Sequence, residues 1–145
     1  MTRPRILLIQ GANMEYLGLR QPEFYGTTSA AELDVICQDH ARKLDLDLDI
    51  VYSNIEGEAI RVLLDAKRSG TDGLVMNPAG FLYAGQALAD TILAVELPYV
   101  EVHMTNIEAR GKTSMTAPVC TGMITGLGIQ TYTLALDAIA ALVRD

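Results

Sequence analysis

The chain has 145 residues, with 11 basic and 18 acidic side chains and a formal net charge of −7. Half of its residues are hydrophobic, too many for disorder, and the negative balance is a poor match for nucleic acid, which wants a basic face. No apolar run approaches the ~18 residues of a membrane span. A single domain over 1–145 is expected, long enough to bury a real core. Met1-Thr2-Arg3-Pro4 leads straight into a strand-like run, so no secretory leader is expected. The two cysteines, Cys37 and Cys120, form no CxxC, which makes a reduced, cytoplasmic setting the default.

Arg5–Gln10 reads as a buried strand. Residues 11–28 have no clear period and carry Gly, Pro and several aromatic rings; a loop of that length suggests a lid. Ser29 with Glu32 three residues on is a capping box, opening a helix with Leu33, Ile36, Cys37, Ala41 and Leu44 on one face. Leu46–Tyr52 alternates and carries acidic residues, which suits an edge strand. Gly57–Arg68 is an amphipathic helix that Gly70 ends. Leu74–Asn77 is a third strand, and Gln86–Val95 is a helix closing before Pro98. Tyr99–Met104 and Val119–Thr125 are the last strands, and Ile129–Arg144 is the last helix. Strands alternating with helices predict a flavodoxin-like α/β three-layer sandwich with a five-stranded parallel sheet of order 2-1-3-4-5. Its ligand crevice lies off the carboxyl ends of the strands, where strand order reverses.

Polar residues concentrate at those ends: Gln10–Asn13, Asn77–Gly80 and Glu101–Asn106. Glu101 and His103 alternate and so share one strand face. A carboxylate beside an imidazole favours imidazolium, which suits a general acid. His40, near a helix C-terminus, reads as structural. Residues 11–28 hold Arg20 and Tyr25; a tyrosine is a poor base at neutral pH unless a guanidinium stabilises its phenolate. Gly-rich phosphate loops, metal-ligand spacings and a nucleophile elbow are all missing from the sequence. Lys43, Lys67 and Lys112 fall on helices or a loop, and none reads as a Schiff-base residue.

Taken together, ILLIQGANMEYLGLRQPEFYG (6–26), SNIEGE (53–58), GLVMNPAG (73–80), LPYVEVHMTNIEAR (97–110) and GLGIQTYTLAL (126–136) resemble type II 3-dehydroquinate dehydratase over essentially the whole chain. The resemblance implies that Tyr25, activated by Arg20, removes a proton α to a ketone. Asn13 would hold a water that stabilises the enolate, and His103, supported by Glu101, would protonate the departing β-hydroxyl. Asn77 and the backbone amides of Met104 and Thr105 would bind a carboxylate. Tyr83, Arg110 and Lys112 would meet the rest of a small anionic cyclic keto acid, and Asp90 would reach a neighbouring subunit's site. No cofactor, metal, nucleic acid or membrane is implied, and the assembly would be a homo-oligomer, a dodecamer built from trimers.

The chain departs from that pattern. The usual NGPN is QGAN (10–13), and the usual NPGAYTHTS is NPAGFLYAG (77–85), with Tyr83 in place of a histidine that binds hydroxyls. Ala89 replaces a frequent arginine before Asp90. The stretch after Arg110 is about three residues shorter than usual and lacks an arginine, for which Lys112 is a point-charge substitute. Three functions are therefore expected in competition. The first is dehydration of 3-dehydroquinate. The second is related chemistry on a less hydroxylated cyclic keto acid, because sites built for a hydroxyl discriminate strongly. The third is a ligand-binding or assembly protein without catalysis.

Overall fold

The apolar runs form the strands. The structure is a computed structural model and describes residues 2–145. Strand β1 (Arg5–Ala12) is buried from Ile6 to Gly11, which its near-continuous apolar sequence requires of a strand covered on both faces. β2 (Asp47–Tyr52), β3 (Gly73–Ala79), β4 (Tyr99–His103) and β5 (Gly122–Thr125) join it in one parallel sheet of order β2-β1-β3-β4-β5. Helices α2 (Ala30–Lys43) and α5 (Gln130–Arg144) cover one face; α3 (Glu56–Arg68) and α4 (Gln86–Val95) cover the other. This is the flavodoxin-like three-layer sandwich, with β2 at an edge where Asp47 and Asp49 stay in water. Each face has its own core, one around Leu8, Leu33, Cys37 and Leu136, the other around Ile9, Leu63, Leu74 and Leu88.

Element boundaries moved where short-range geometry intervened. β1 and β3 run two residues further than their apolar runs, so Ala12 pairs with Ala79 and the strands carry polar residues to the crevice. β5 begins at Gly122, because Ala117–Val119 turns as a 3-10 helix with Pro118 inside it. Residues 11–28 are more than a loop. Met14–Tyr16 forms a 3-10 turn and Pro22–Tyr25 a one-turn helix, α1. Met14 and Leu17 are buried in the core beneath them. Elements this short leave no period in a sequence. His40 pairs with Asp137 at 2.7 Å, tying α2 to α5. Cys37 is core and burial pushes its thiol up to about 12, whereas Cys120 is only partly buried, at the margin of the other core.

Candidate active site

A cleft of about 560 Å³, its open mouth included, lies at the carboxyl ends of β1, β3 and β4. The two strands that flank the reversal meet closely there. A Cβ on Gly11 would fall 2.1 Å from the Pro78 carbonyl oxygen. The lining includes Asn13, Arg20 and Tyr25 from the segment after β1, and Asn77 and Tyr83 from β3 and the turn after it. His103, Met104, Thr105, Arg110 and Lys112 come from β4 and the segment behind it. Arg20, Arg110 and Lys112 thus face one space with His103, and among the described residues no Asp or Glu lines it. Glu101 stands behind His103, fully buried. Asp90 is not in the cleft of its own chain; it is exposed on α4 and accepts from Gln86 Nε2 at 3.2 Å.

Two guanidinium groups bracket Tyr25. Arg20 stacks on the ring, its Cζ 4.6 Å from the centroid. The group on the phenolic oxygen is Arg110, whose Nη1 donates to Tyr25 Oη at 3.2 Å and to Thr105 Oγ1 at 2.9 Å. Arg110 also lies 4.6 Å from the Phe24 ring centroid, under α1. The expectation set Arg20 as the activating partner; the hydrogen bond belongs to Arg110, and Arg20 acts across the ring face. The spacing of Arg20 and Tyr25 within one segment was visible in sequence, but the approach of Arg110 from across the cleft was not.

His103 is nearly buried and its Nε2 lies 2.7 Å from Glu101 Oε2. The other oxygen of Glu101 accepts from Tyr99 Oη at 2.6 Å and from Thr116 Oγ1. Burial alone would push the Glu101 carboxyl up. The hydrogen bonds from His103, Thr116 and Tyr99 outweigh it and hold the group below the ordinary carboxylate range. Glu101 is therefore an anion, and Nε2 of His103 must donate to it, so Nδ1 is the ring nitrogen left for a ligand. Tyr99 could have been found in sequence, since residues 99, 101 and 103 share one strand face. Thr116 comes from a separate turn and left no signal.

Asn77 is held from two sides. Its Oδ1 accepts from the Ala79 amide at 3.0 Å, and its Nδ2 donates to Tyr132 Oη at 2.9 Å. Tyr132 in turn donates to Gln10 Oε1 at 2.8 Å. Gln10, the first residue of QGAN, is thus a buried support and not part of the lining. Asn13 adopts a left-handed conformation, φ 76°, and its amide donates to Asn54 Oδ1 at 2.8 Å. At the mouth, Lys112 Nζ donates to Tyr83 Oη. That bond holds the Tyr83 phenol below its ordinary value although the ring is 65% exposed. Among the described residues no group of three His, Cys, Asp or Glu side chains is placed to hold a metal. Among them, too, no helix is long and apolar enough to cross a membrane.

A family model described as dehydroquinase class II matches residues 4–140. The chain belongs to the class II dehydroquinase family. Among curated relatives, a 3-dehydroquinate dehydratase from Dinoroseobacter shibae is 42% identical over 142 residues, covering 94% of this chain and 92% of the relative. One from Lachnoclostridium phytofermentans is 37% identical over 141 residues, covering 95% and 97%. The crystal structure of a type II dehydroquinase from Propionibacterium acnes superposes with a TM-score of 0.90 at 33% identity, covering 97% of this chain and 98% of that one. Dehydration of a hydroxyketone breaks a carbon–oxygen bond, so this class II dehydroquinase is a carbon–oxygen lyase.

Proposed function

We propose that the chain dehydrates 3-dehydroquinate to 3-dehydroshikimate through an enolate, with Tyr25 as base and His103 as acid. The observation that carries this reading is that Tyr25, bracketed by Arg20 and Arg110, and His103, backed by Glu101, line one cleft that contains cations and no carboxylate. The Tyr25 phenolate takes the proton α to the ketone, and the electron pair moves into an enolate. Asn13 holds a water against the developing oxyanion, the kind of preorganised donor that lowers such barriers. The electron pair then returns, the carbon–oxygen bond breaks, and His103 delivers a proton to the departing hydroxyl. Asn77 and the backbone amides of Met104 and Thr105 hold the substrate carboxylate. Residues 11–28 close over the bound ring. No cofactor enters these steps, and the chain works in the cytoplasm as a dodecamer of trimers in which Asp90 reaches a neighbour's cleft.

The test is growth of enone absorbance when purified protein meets 3-dehydroquinate, and loss of at least about a thousandfold in kcat for Tyr25→Phe, since proton transfer by a positioned base is worth up to about 10⁴. An absence of turnover at millimolar substrate would end the reading.

A second reading rests on the wall formed by Ala79, Gly80, Leu82 and Tyr83, with Lys112 on the Tyr83 oxygen. It offers a ring substituent fewer polar contacts than a histidine and an arginine would. Under that reading the better substrate is a cyclic β-hydroxyketo acid with fewer ring hydroxyls. Comparing kcat/KM for 3-dehydroquinate and its deoxy analogues decides it; if every analogue is worse, the second reading is abandoned.

A further inference from the structure

Glu101 has the most confined surroundings of any charged group in the described chain. Its relative exposure is 0%, and the groups that meet its two oxygens are the His103 ring, the Tyr99 hydroxyl and the Thr116 hydroxyl. An ionised carboxylate only accepts hydrogen bonds, so both hydroxyls must spend their single proton on Oε1. That fixes the direction of the surrounding bonds. Tyr99 also lies 3.5 Å from Thr116 Oγ1, but its proton is committed at the shorter contact. Thr116 Oγ1, having donated to Glu101, accepts a hydrogen bond from Ser114 Oγ at 3.2 Å. The array runs from Ser114 to Thr116 to Glu101, with Tyr99 and His103 donating from β4.

We propose that Tyr99 and Thr116 are positioning residues of the acid arm, which hold Glu101 as an anion and thereby keep the proton of neutral His103 on Nε2, with Nδ1 turned to the cleft. The inference rests on the reading of His103 as the proton donor. Its logic is a competition for one proton. A buried carboxylate stripped of hydrogen bonds is costly to ionise. With both hydroxyls gone, the cheaper arrangement places the proton on Glu101 and turns Nε2 into an acceptor. The ring then carries its proton on Nδ1 as a neutral imidazole, a far weaker acid than the imidazolium, protonated on both nitrogens, that a Glu101 anion stabilises for proton delivery from Nδ1. Tyr99 serves this purpose alone on its strand face, because burial and the neighbouring Glu101 charge keep its own phenol far above the ordinary value, so it stays a donor.

The chain suits a direct test because it has only two histidines. In ¹⁵N-histidine-labelled protein, with His40 assigned through a His40→Gln variant, the two ring nitrogens of His103 report the tautomer without any substrate present. Wild type is expected to show the Nε2–H form at pH above the imidazole titration. Tyr99→Phe with Thr116→Val is expected to shift the population toward Nδ1–H and to lower kcat about tenfold, with KM within about twofold. In the Tyr99→Phe background, Thr116→Ser returns one hydroxyl to Glu101 and should recover part of both. If the double variant does not fold, Tyr99→Phe alone should show a partial shift of the same sign. The proposal is overturned if wild type already carries the Nδ1–H form, if the variants keep the wild-type tautomer, or if Thr116→Ser behaves like Thr116→Val. A protein that turns over no 3-dehydroquinate overturns the proposed activity, while the nitrogen shifts still decide the proton's place.

Discussion

Ala79 holds a backbone conformation that a side chain resists, φ 47° and ψ −121°, at the end of β3 beside the cleft. A non-glycine residue in such a region costs on the order of 1–3 kcal/mol. The residue that follows is Gly80, where an added Cβ would meet the Ala12 Cβ at 2.8 Å. The order Ala-Gly, in place of the Gly-Ala of the resembled pattern, therefore puts the methyl at the strained position. Ala79→Gly should raise stability by about 1 kcal/mol after the entropy cost of glycine is deducted, read as an increase of about 3 °C in Tm; a decrease would show that the methyl packs for more than the strain costs. Glu101 supplies a second prediction. Its carboxyl is held below its ordinary range when folded, so it stabilises the fold above the unfolded value, and that contribution is lost as pH falls through the folded one. The stability gap between wild type and Glu101→Gln in denaturant titrations should be widest above about pH 5 and close in acid. A gap that is constant across that range contradicts the assignment of Glu101 as an anion.

Elements show which parts of the molecule were readable. The capping box was legible, because its two partners are three residues apart. Ser29 Oγ accepts from the Glu32 amide and Glu32 Oε1 from the Ser29 amide, both at 3.1 Å. Ser29→Ala should cost about 1 kcal/mol of stability by thermal or chemical unfolding. The bounds of α4, Gln86–Val95, were legible, but the partner of its first turn was not. Its N-cap is Gly85, which has no side chain to offer, and the Leu88 amide is instead met by Glu56 Oε2 from α3 at 2.9 Å. The five strands and their order could be inferred from apolar runs and the crossover rule. The interior of 11–28 could not, since Arg110 reaches α1 from 85 residues away. Arg110 clamps Phe24 and Tyr25 at once through a planar guanidinium, a geometry an ammonium cannot copy. Arg110→Lys should therefore lower kcat/KM by at least about tenfold, with faster exchange of the α1 amides; an unchanged rate would remove Arg110 from the clamp.

For the molecule as a whole, net charge is misleading. The chain carries −7, yet Arg20, Arg110 and Lys112 converge on one cleft without a facing carboxylate. They arrive there from two separated stretches of chain, which is why a charge count hid them and only the strand-end topology brought them together. A concave site lined by one sign of charge concentrates field and attracts the opposite sign, even on a protein of unfavourable total charge. The two contributions differ in range. Long-range repulsion by the acidic surface is screened within about 10 Å at 0.1 M salt, whereas attraction inside the cleft survives better. Raising salt from low concentration should then first raise kcat/KM modestly as surface repulsion is removed, and reduce it only when anions begin to compete for the cleft. Sulfate should inhibit competitively against 3-dehydroquinate, and Lys112→Met should weaken that inhibition more than it lowers kcat, because Lys112 hydrogen-bonds Tyr83 and has no step in the proposed proton path. A steep monotonic fall of kcat/KM from the lowest salt would mean that net attraction extends well beyond the cleft. Sulfate inhibition unchanged in Lys112→Met would place the anion deeper, between Arg20 and Arg110.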